Sequence, residues 1–271
     1  MSTAAAAMAA ALSSFREVYS VSDPAPALVL ENIVVAFGAL KAVDNVSIVV
    51  GSGERHAVIG PNGAGKTTLF NAITGVRQPT AGRVVFENQN ITRKSVQGRA
   101  RMGISRTFQI TNLFPSLTVD ENMQLAVRGN GAGKFSMLSA AGLDVGQAES
   151  VASALSASRL DKRGAVVVSE LSYGEQRQLE MAMALVARPK LLLLDEPAAG
   201  LSPAERVIVA EIIRSLSHDL TMVLIEHDME LVLNLVERVT CLNNGQMLAE
   251  GTPNEIRGNQ LVQDVYLGKA R

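Results

Sequence analysis

The apolar and polar positions divide this chain into short strands and helices with compact connections. Leu28 to Val35, Val46 to Val50 and Arg83 to Glu87 place aliphatic and β-branched residues between turn residues, which predicts three strands of an antiparallel β-subdomain. Arg55 to Ile59 runs into a short apolar stretch that stops at Gly60, and Lys66 to Thr74 has helical character. A strand, a glycine-rich loop and a helix therefore stand in line. Ser95 to Arg101, Thr118 to Val127 and Ala148 to Arg159 show helical spacing or strong helix formers, and predict a helical subdomain of about residues 95 to 188 inserted into an α/β domain. Leu191 to Leu194 is the longest aliphatic run. Its length and its charged end at Asp195 and Glu196 make it a buried strand, and Met222 to Ile225 is another.

Composition adds limits. A chain of 271 residues with 47% hydrophobic content can fill the core of one large α/β domain with a smaller subdomain. Its apolar runs fall short of the roughly 20 residues that span a bilayer. A net charge of −1 gives no general attraction for nucleic acid. Cys241, the one cysteine, cannot form an internal disulfide and reads as a small hydrophobe in a strand. Residues 1 to 26 are expected to form a flexible extension, with 27 to 271 as the functional domain. Ala4 to Leu12 is alanine-rich, yet no basic residue precedes it and Arg16 and Glu17 follow at once, which is not the charge order of a secretory signal; a misassigned starting site is the other reading.

The most chemical stretch is Gly60-Pro61-Asn62-Gly63-Ala64-Gly65-Lys66-Thr67-Thr68. Backbone N–H groups of such a loop, and the positive end of the helix behind it, point into one concavity and hold polyphosphate. Lys66 is expected to reach the β- and γ-phosphates, Thr67 to ligate Mg²⁺ through its hydroxyl, and Thr68 to bond the α-phosphate. Gly129-Asn130-Gly131-Ala132-Gly133-Lys134 looks similar, but Phe135 stands where the hydroxyl is needed and no buried strand leads in, so it reads as a flexible connection.

Asp195 is expected to hold Mg²⁺ directly or through water, and Glu196 to orient and polarise an attacking water. Charges at the end of a four-leucine strand are costly unless a cation or solvent compensates them. Ser172 can cap the helix running through Gln178 to Ala187, with Glu175 completing a capping box. Taken alone, Gln109 reads as a surface glutamine, His227 as a structural or exposed histidine, and Phe37 as a core or turn aromatic. His56 and His218 match no motif.

The order of these elements, phosphate loop, Gln109, Leu171-Ser172-Tyr173-Gly174-Glu175-Gln176, then Leu191 to Pro197, resembles the ATP-binding-cassette (ABC) ATPases from about Val29 to Leu267. The resemblance implies a P-loop NTPase core of α/β class with ATP and Mg²⁺ as cofactors. It implies that Gln109 completes the Mg²⁺ site and senses the γ-phosphate, that His227 bridges γ-phosphate, water and Glu196, and that Phe37 stacks on adenine. Ser172, Gly174 and Glu175 would bind the γ-phosphate held by an opposite protomer. Tyr173 stands where many members carry glycine. Ser202, in the loop Ala198 to Ser202 that lies between protomers, stands where many carry aspartate.

Arg106-Thr107-Phe108-Gln109, Asn112-Leu113-Phe114, Leu117 to Asn122, Asp195 to Leu201 and Tyr266-Leu267-Gly268 are similar to the ATPase subunits of bacterial branched-chain amino-acid importers. That implies a peripheral subunit on the cytoplasmic face of the inner membrane. It would pair with a second cassette, homologous or identical, beneath two permease subunits, served indirectly by an extracytoplasmic solute-binding protein. Leu113 and Phe114 are candidate permease contacts. Importers of urea or short-chain amides share this subtype. Cassettes acting on nucleic acid or ribosomes share the nucleotide motifs but usually add coiled coils, zinc modules, basic faces or a second ATPase half, none of which this sequence carries.

Overall fold

The structure, a computed structural model, describes residues 26–107, 113–130 and 143–266. Its elements begin with β1 (Pro26–Phe37), β2 (Leu40–Gly51), β3 (Arg55–Ile59), α1 (Lys66–Thr74), β4 (Ala81–Phe86), β5 (Gln89–Asn90), α2 (Val96–Arg101) and β6 (Ile104–Arg106). They continue with α3 (Val119–Asn130), α4 (Val145–Ala157), α5 (Tyr173–Leu185), β7 (Leu191–Asp195), α6 (Pro203–Ser215) and β8 (Thr221–Ile225). The chain ends in α7 (Met229–Leu233), β9 (Arg238–Asn243), β10 (Gln246–Gly251), α8 (Pro253–Gly258) and α9 (Gln260–Tyr266). Among the described residues, those before Gln97 and after Leu235 form one compact unit, and Gln97–Leu235 forms another.

In the first unit, β2-β1-β4-β5 make an antiparallel sheet. Leu28, Leu30, Ile33 and Val35 of β1 and Val43, Val46, Ile48 and Val50 of β2 are buried, so the apolar positions of the sequence face the core. The strands are longer than the apolar runs alone indicate, because hydrogen-bonded pairing carries polar residues such as Lys41 along: Ala36 pairs with Lys41. β3 lies parallel to β9, with His56 opposite Arg238 and Ile59 opposite Cys241, and β9 turns back into β10 through Asn244-Gly245. His56 is a core histidine between the Glu54 carboxylate and the Thr240 hydroxyl, each at 2.8 Å.

In the second unit, β6, β7 and β8 are parallel, with Ile104 opposite Leu191 and Leu191 opposite Thr221. Every residue of β7 is buried, which is why four leucines occur in a row instead of alternating with polar residues. A helical core gathers Val119 and Met123 of α3, Val151 and Leu155 of α4, and Leu179 and Ala182 of α5. Burial of side chains this size stabilises by roughly 1.5–3 kcal/mol each. One expectation is corrected here. Gly129 and Asn130 are not part of a connection but the last residues of α3; the packing of Met123 and its neighbours carries the helix through them despite the low propensity of glycine. Gly131 to Lys134 lie outside the described residues.

Candidate functional site

The phosphate loop joins β3 to α1, as the sequence indicates. Gly60 has φ 149°, and a Cβ there would overlap the backbone carbonyl oxygen of Leu242. Gly65 has φ 100°, and a Cβ would overlap the carbonyl oxygen of Ala42. These glycines are therefore required by the close approach of backbone to backbone, which seats the loop against β2 and β9. The β9–β10 turn adds a bond from Gly245 N–H to the Ala64 carbonyl, 3.1 Å. The buried Lys66 side chain folds over the loop, its Nζ donating to the carbonyls of Gly60 at 2.8 Å and Pro61 at 3.0 Å. Asn62, Gly63 and Thr67 are exposed, with Thr68 half-buried beside them. The N-terminus of α1 has no side-chain cap, so its first N–H groups have no such acceptor.

Asp195 ends β7 and is buried. One carboxylate oxygen, Oδ2, is paired with the Arg106 guanidinium of β6, while Oδ1 is buried without a hydrogen-bond partner. A buried carboxylate oxygen left over is costly, and it suits a cation or its water shell. Asp195 Oδ1 thus fits a ligand to Mg²⁺. Glu196 follows with φ 49°, left-handed backbone that costs a residue with a side chain about 1–3 kcal/mol. The Ile225 carbonyl of β8 receives its N–H at 2.9 Å. That turn lifts Glu196 out of the strand's alternation just beyond Asp195.

His227 is exposed, with Nδ1 3.7 Å from Glu226 Oε2. Glu226 itself is buried and accepts the N–H groups of Ala198 at 2.8 Å and His227 at 3.2 Å. Burial pushes its carboxyl above the usual carboxylate range against the pull of those N–H groups. Ser172 caps α5 in a capping box with Glu175. Burial pushes the Glu175 carboxyl up, but the Ser172 N–H and the Arg163 guanidinium outweigh it and hold the group low. Gly174 N–H donates to Glu205 Oε1 of α6 at 3.2 Å, and the Tyr173 ring lies over Gly200. Ser202 caps α6 in a second capping box with Glu205.

Phe37 is 48% exposed at the end of β1, under the Arg77 guanidinium at 4.4 Å from the ring centre, and is not part of the core. Gln109 lies outside the described residues. Leu113 packs against the helical core, whereas Phe114 is 52% exposed. The buried Asn122 side chain clamps Phe114, accepting its N–H at 2.9 Å and donating to its carbonyl at 3.1 Å. Three residues near the site carried no assigned role in the sequence: Arg106, Glu226 and Tyr266, whose hydroxyl accepts the Gly60 N–H at 2.7 Å. Arg106 and Tyr266 stood inside quoted motifs without a role of their own, and Glu226 stands beside His227.

The strand–loop–helix of β3 and α1, and β7 with its two terminal carboxylates, are elements of an α/β P-loop ATPase. A family model described as ABC transporter matches residues 43–199, and a second, described as branched-chain amino acid ATP-binding cassette transporter, matches 246–271. The chain belongs to the ATP-hydrolysing subunits of ABC transporters. It is 42% identical over 254 residues to the high-affinity branched-chain amino acid transport ATP-binding protein LivG of Salmonella typhimurium, covering 90% of this chain and 99% of LivG. BraF of Pseudomonas aeruginosa, with the same description, is 38% identical over 252 residues, again covering 90% and 99%. The crystal structure of the ADP conformation of MJ1267, an ATP-binding cassette of an ABC transporter, superposes with a TM-score of 0.78 at 33% identity, covering 90% of this chain and 99% of that one. Among the described residues, no helix is long and apolar enough to cross a membrane.

Proposed function

We propose that this ATPase powers the import of branched-chain, hydrophobic amino acids. The supporting observation is the 42% identity with LivG across 99% of LivG's length, joined to the C-terminal family match at 246–271. The chain would sit peripherally on the cytoplasmic face of the membrane, paired with a second cassette beneath two permease subunits that receive solute from an extracytoplasmic binding protein. Domain roles follow the sequence: residues 1 to 26 as an extension, 27 to 271 as the ATPase, and about 95 to 188 as the helical subdomain that transmits motion. Phe114, exposed with its backbone clamped by Asn122, is the candidate permease contact.

The chemistry follows from the side chains. The loop from Gly60 to Thr68 holds the phosphates through N–H groups, and Lys66 exchanges its neutral carbonyl acceptors for charged phosphate oxygens. Phe37 stacks on the base. Thr67, Asp195 and Gln109 are the residues that would hold Mg²⁺, which when bound would neutralise charge on the phosphoryl oxygens. Glu196 takes a proton from the water that attacks the γ-phosphorus as the bond to ADP breaks, and His227 orients that water and the γ-phosphate. Ser172, Gly174 and Glu175 at the start of α5 serve the nucleotide of the opposite protomer.

Purification from native membranes through a tag on this chain tests the proposal. The expected result is co-purification of two permeases and a second cassette, with vesicles containing them accumulating leucine, isoleucine or valine at the expense of ATP. Accumulation of urea or short amides alone, or co-purification with nucleic acid or ribosomes, would contradict it.

A further inference from the structure

The last described residue has no role in the chemistry above, yet it touches the phosphate loop. α9 ends at Tyr266, whose half-buried side chain reaches back so that its hydroxyl oxygen accepts the Gly60 N–H at 2.7 Å. Gly60 has little freedom to answer. One side is filled by the Leu242 carbonyl of β9, and the Gly60 carbonyl receives the Lys66 ammonium at 2.8 Å. The peptide groups at Gly60 therefore link the C-terminal helix, through one hydrogen bond, to the residue that binds phosphate. Val262, fully buried, anchors the same helix.

We propose that Tyr266 is a positioning residue of the phosphate loop, fixing the Gly60 peptide so that Lys66 is held at the height at which it meets the phosphates, and that the C-terminal segment thereby sets nucleotide affinity. This rests on the phosphate-loop reading given above. Without the hydroxyl, Gly60 N–H is a buried donor with no acceptor, and the loop relaxes to find one. The loss falls on binding: Glu196 and Asp195 stand on β7 and its turn, away from this bond in sequence and element.

The test is Tyr266→Phe, which keeps the ring and removes only the hydroxyl. Calorimetry with MgADP on the full chain is expected to show affinity weakened roughly three- to tenfold, the loss of one neutral hydrogen bond. In the assembled transporter, KM for ATP is expected to rise by the same factor with kcat within about twofold, a split that general loosening of the fold does not produce. Amide exchange at Gly60 is expected to accelerate ahead of that at Ile59. Lys66→Ala measured alongside separates the two claims: if it binds MgADP normally, the phosphate-loop reading fails by itself. If Lys66→Ala weakens binding while Tyr266→Phe keeps the parent's affinity and KM, the positioning role is overturned.

Discussion

Lys66 holds its ammonium on two neutral carbonyls of its own loop, an arrangement that phosphate oxygens can displace with gain because charge-assisted bonds are the stronger ones. Lys66→Ala is therefore expected to weaken MgATP binding by roughly 10- to 100-fold, read by calorimetry; normal affinity would remove Lys66 from the site. Cys241, buried opposite Ile59 in β9, has its thiol pushed by burial from an ordinary 9.0 to about 11. In the unfolded chain it ionises first. Its contribution to stability is present below about pH 9 and is lost as pH rises toward 11. The urea midpoint of the parent is expected to fall more between pH 8.5 and 10.5 than that of Cys241→Ala, and alkylation of the thiol to require unfolding. Lys66, Asp195 and Glu196 could be read from sequence because each stands at a fixed offset from a strand end. Tyr266 meets Gly60 across 206 positions and Glu226 meets Ala198 across 28, and no local spacing records such pairings.

Among the elements, the start of α5 was legible, since the capping box of Ser172 with Glu175 spells itself out within four residues, whereas the matching box that begins α6 was not read from the sequence. Ser172 with Glu175, and Ser202 with Glu205, form the boxes that begin α5 and α6. The second gives Ser202 a local reason to stand where many cassettes carry aspartate: both residue types accept the N–H of the first turn. Ser202→Ala is expected to cost about 1 kcal/mol of unfolding free energy, measured by urea denaturation; no change would leave the cap without energetic weight. Strand lengths were less legible. β1 and β2 extend beyond their apolar runs because each supplies hydrogen-bond partners to the other, and α3 carries Gly129 and Asn130 because tertiary packing outweighs propensity. Tyr173 lying over Gly200, and Glu205 receiving the Gly174 N–H, tie the start of α5 to the loop that follows Glu196 and to α6, a coupling visible only once the elements are placed.

For the whole molecule, the class of machine was written in the order of its motifs, and the family match and the MJ1267 superposition bear that out. The cargo is indicated by the likeness to LivG and BraF. The central claim is that ATP turnover takes two cassettes, with the α5 helix start of each serving the nucleotide on the phosphate loop of the other. Glu196→Gln should bind ATP without splitting it and so hold the pair closed. The direct measurement is the light-scattering mass of Glu196→Gln, alone and with the second cassette that co-purifies, in ATP and then in ADP. The account predicts a mass of two cassettes in ATP and a return to the single chain of 28.7 kDa in ADP. A parent chain that keeps the mass of one chain while hydrolysing ATP at its full rate would contradict it.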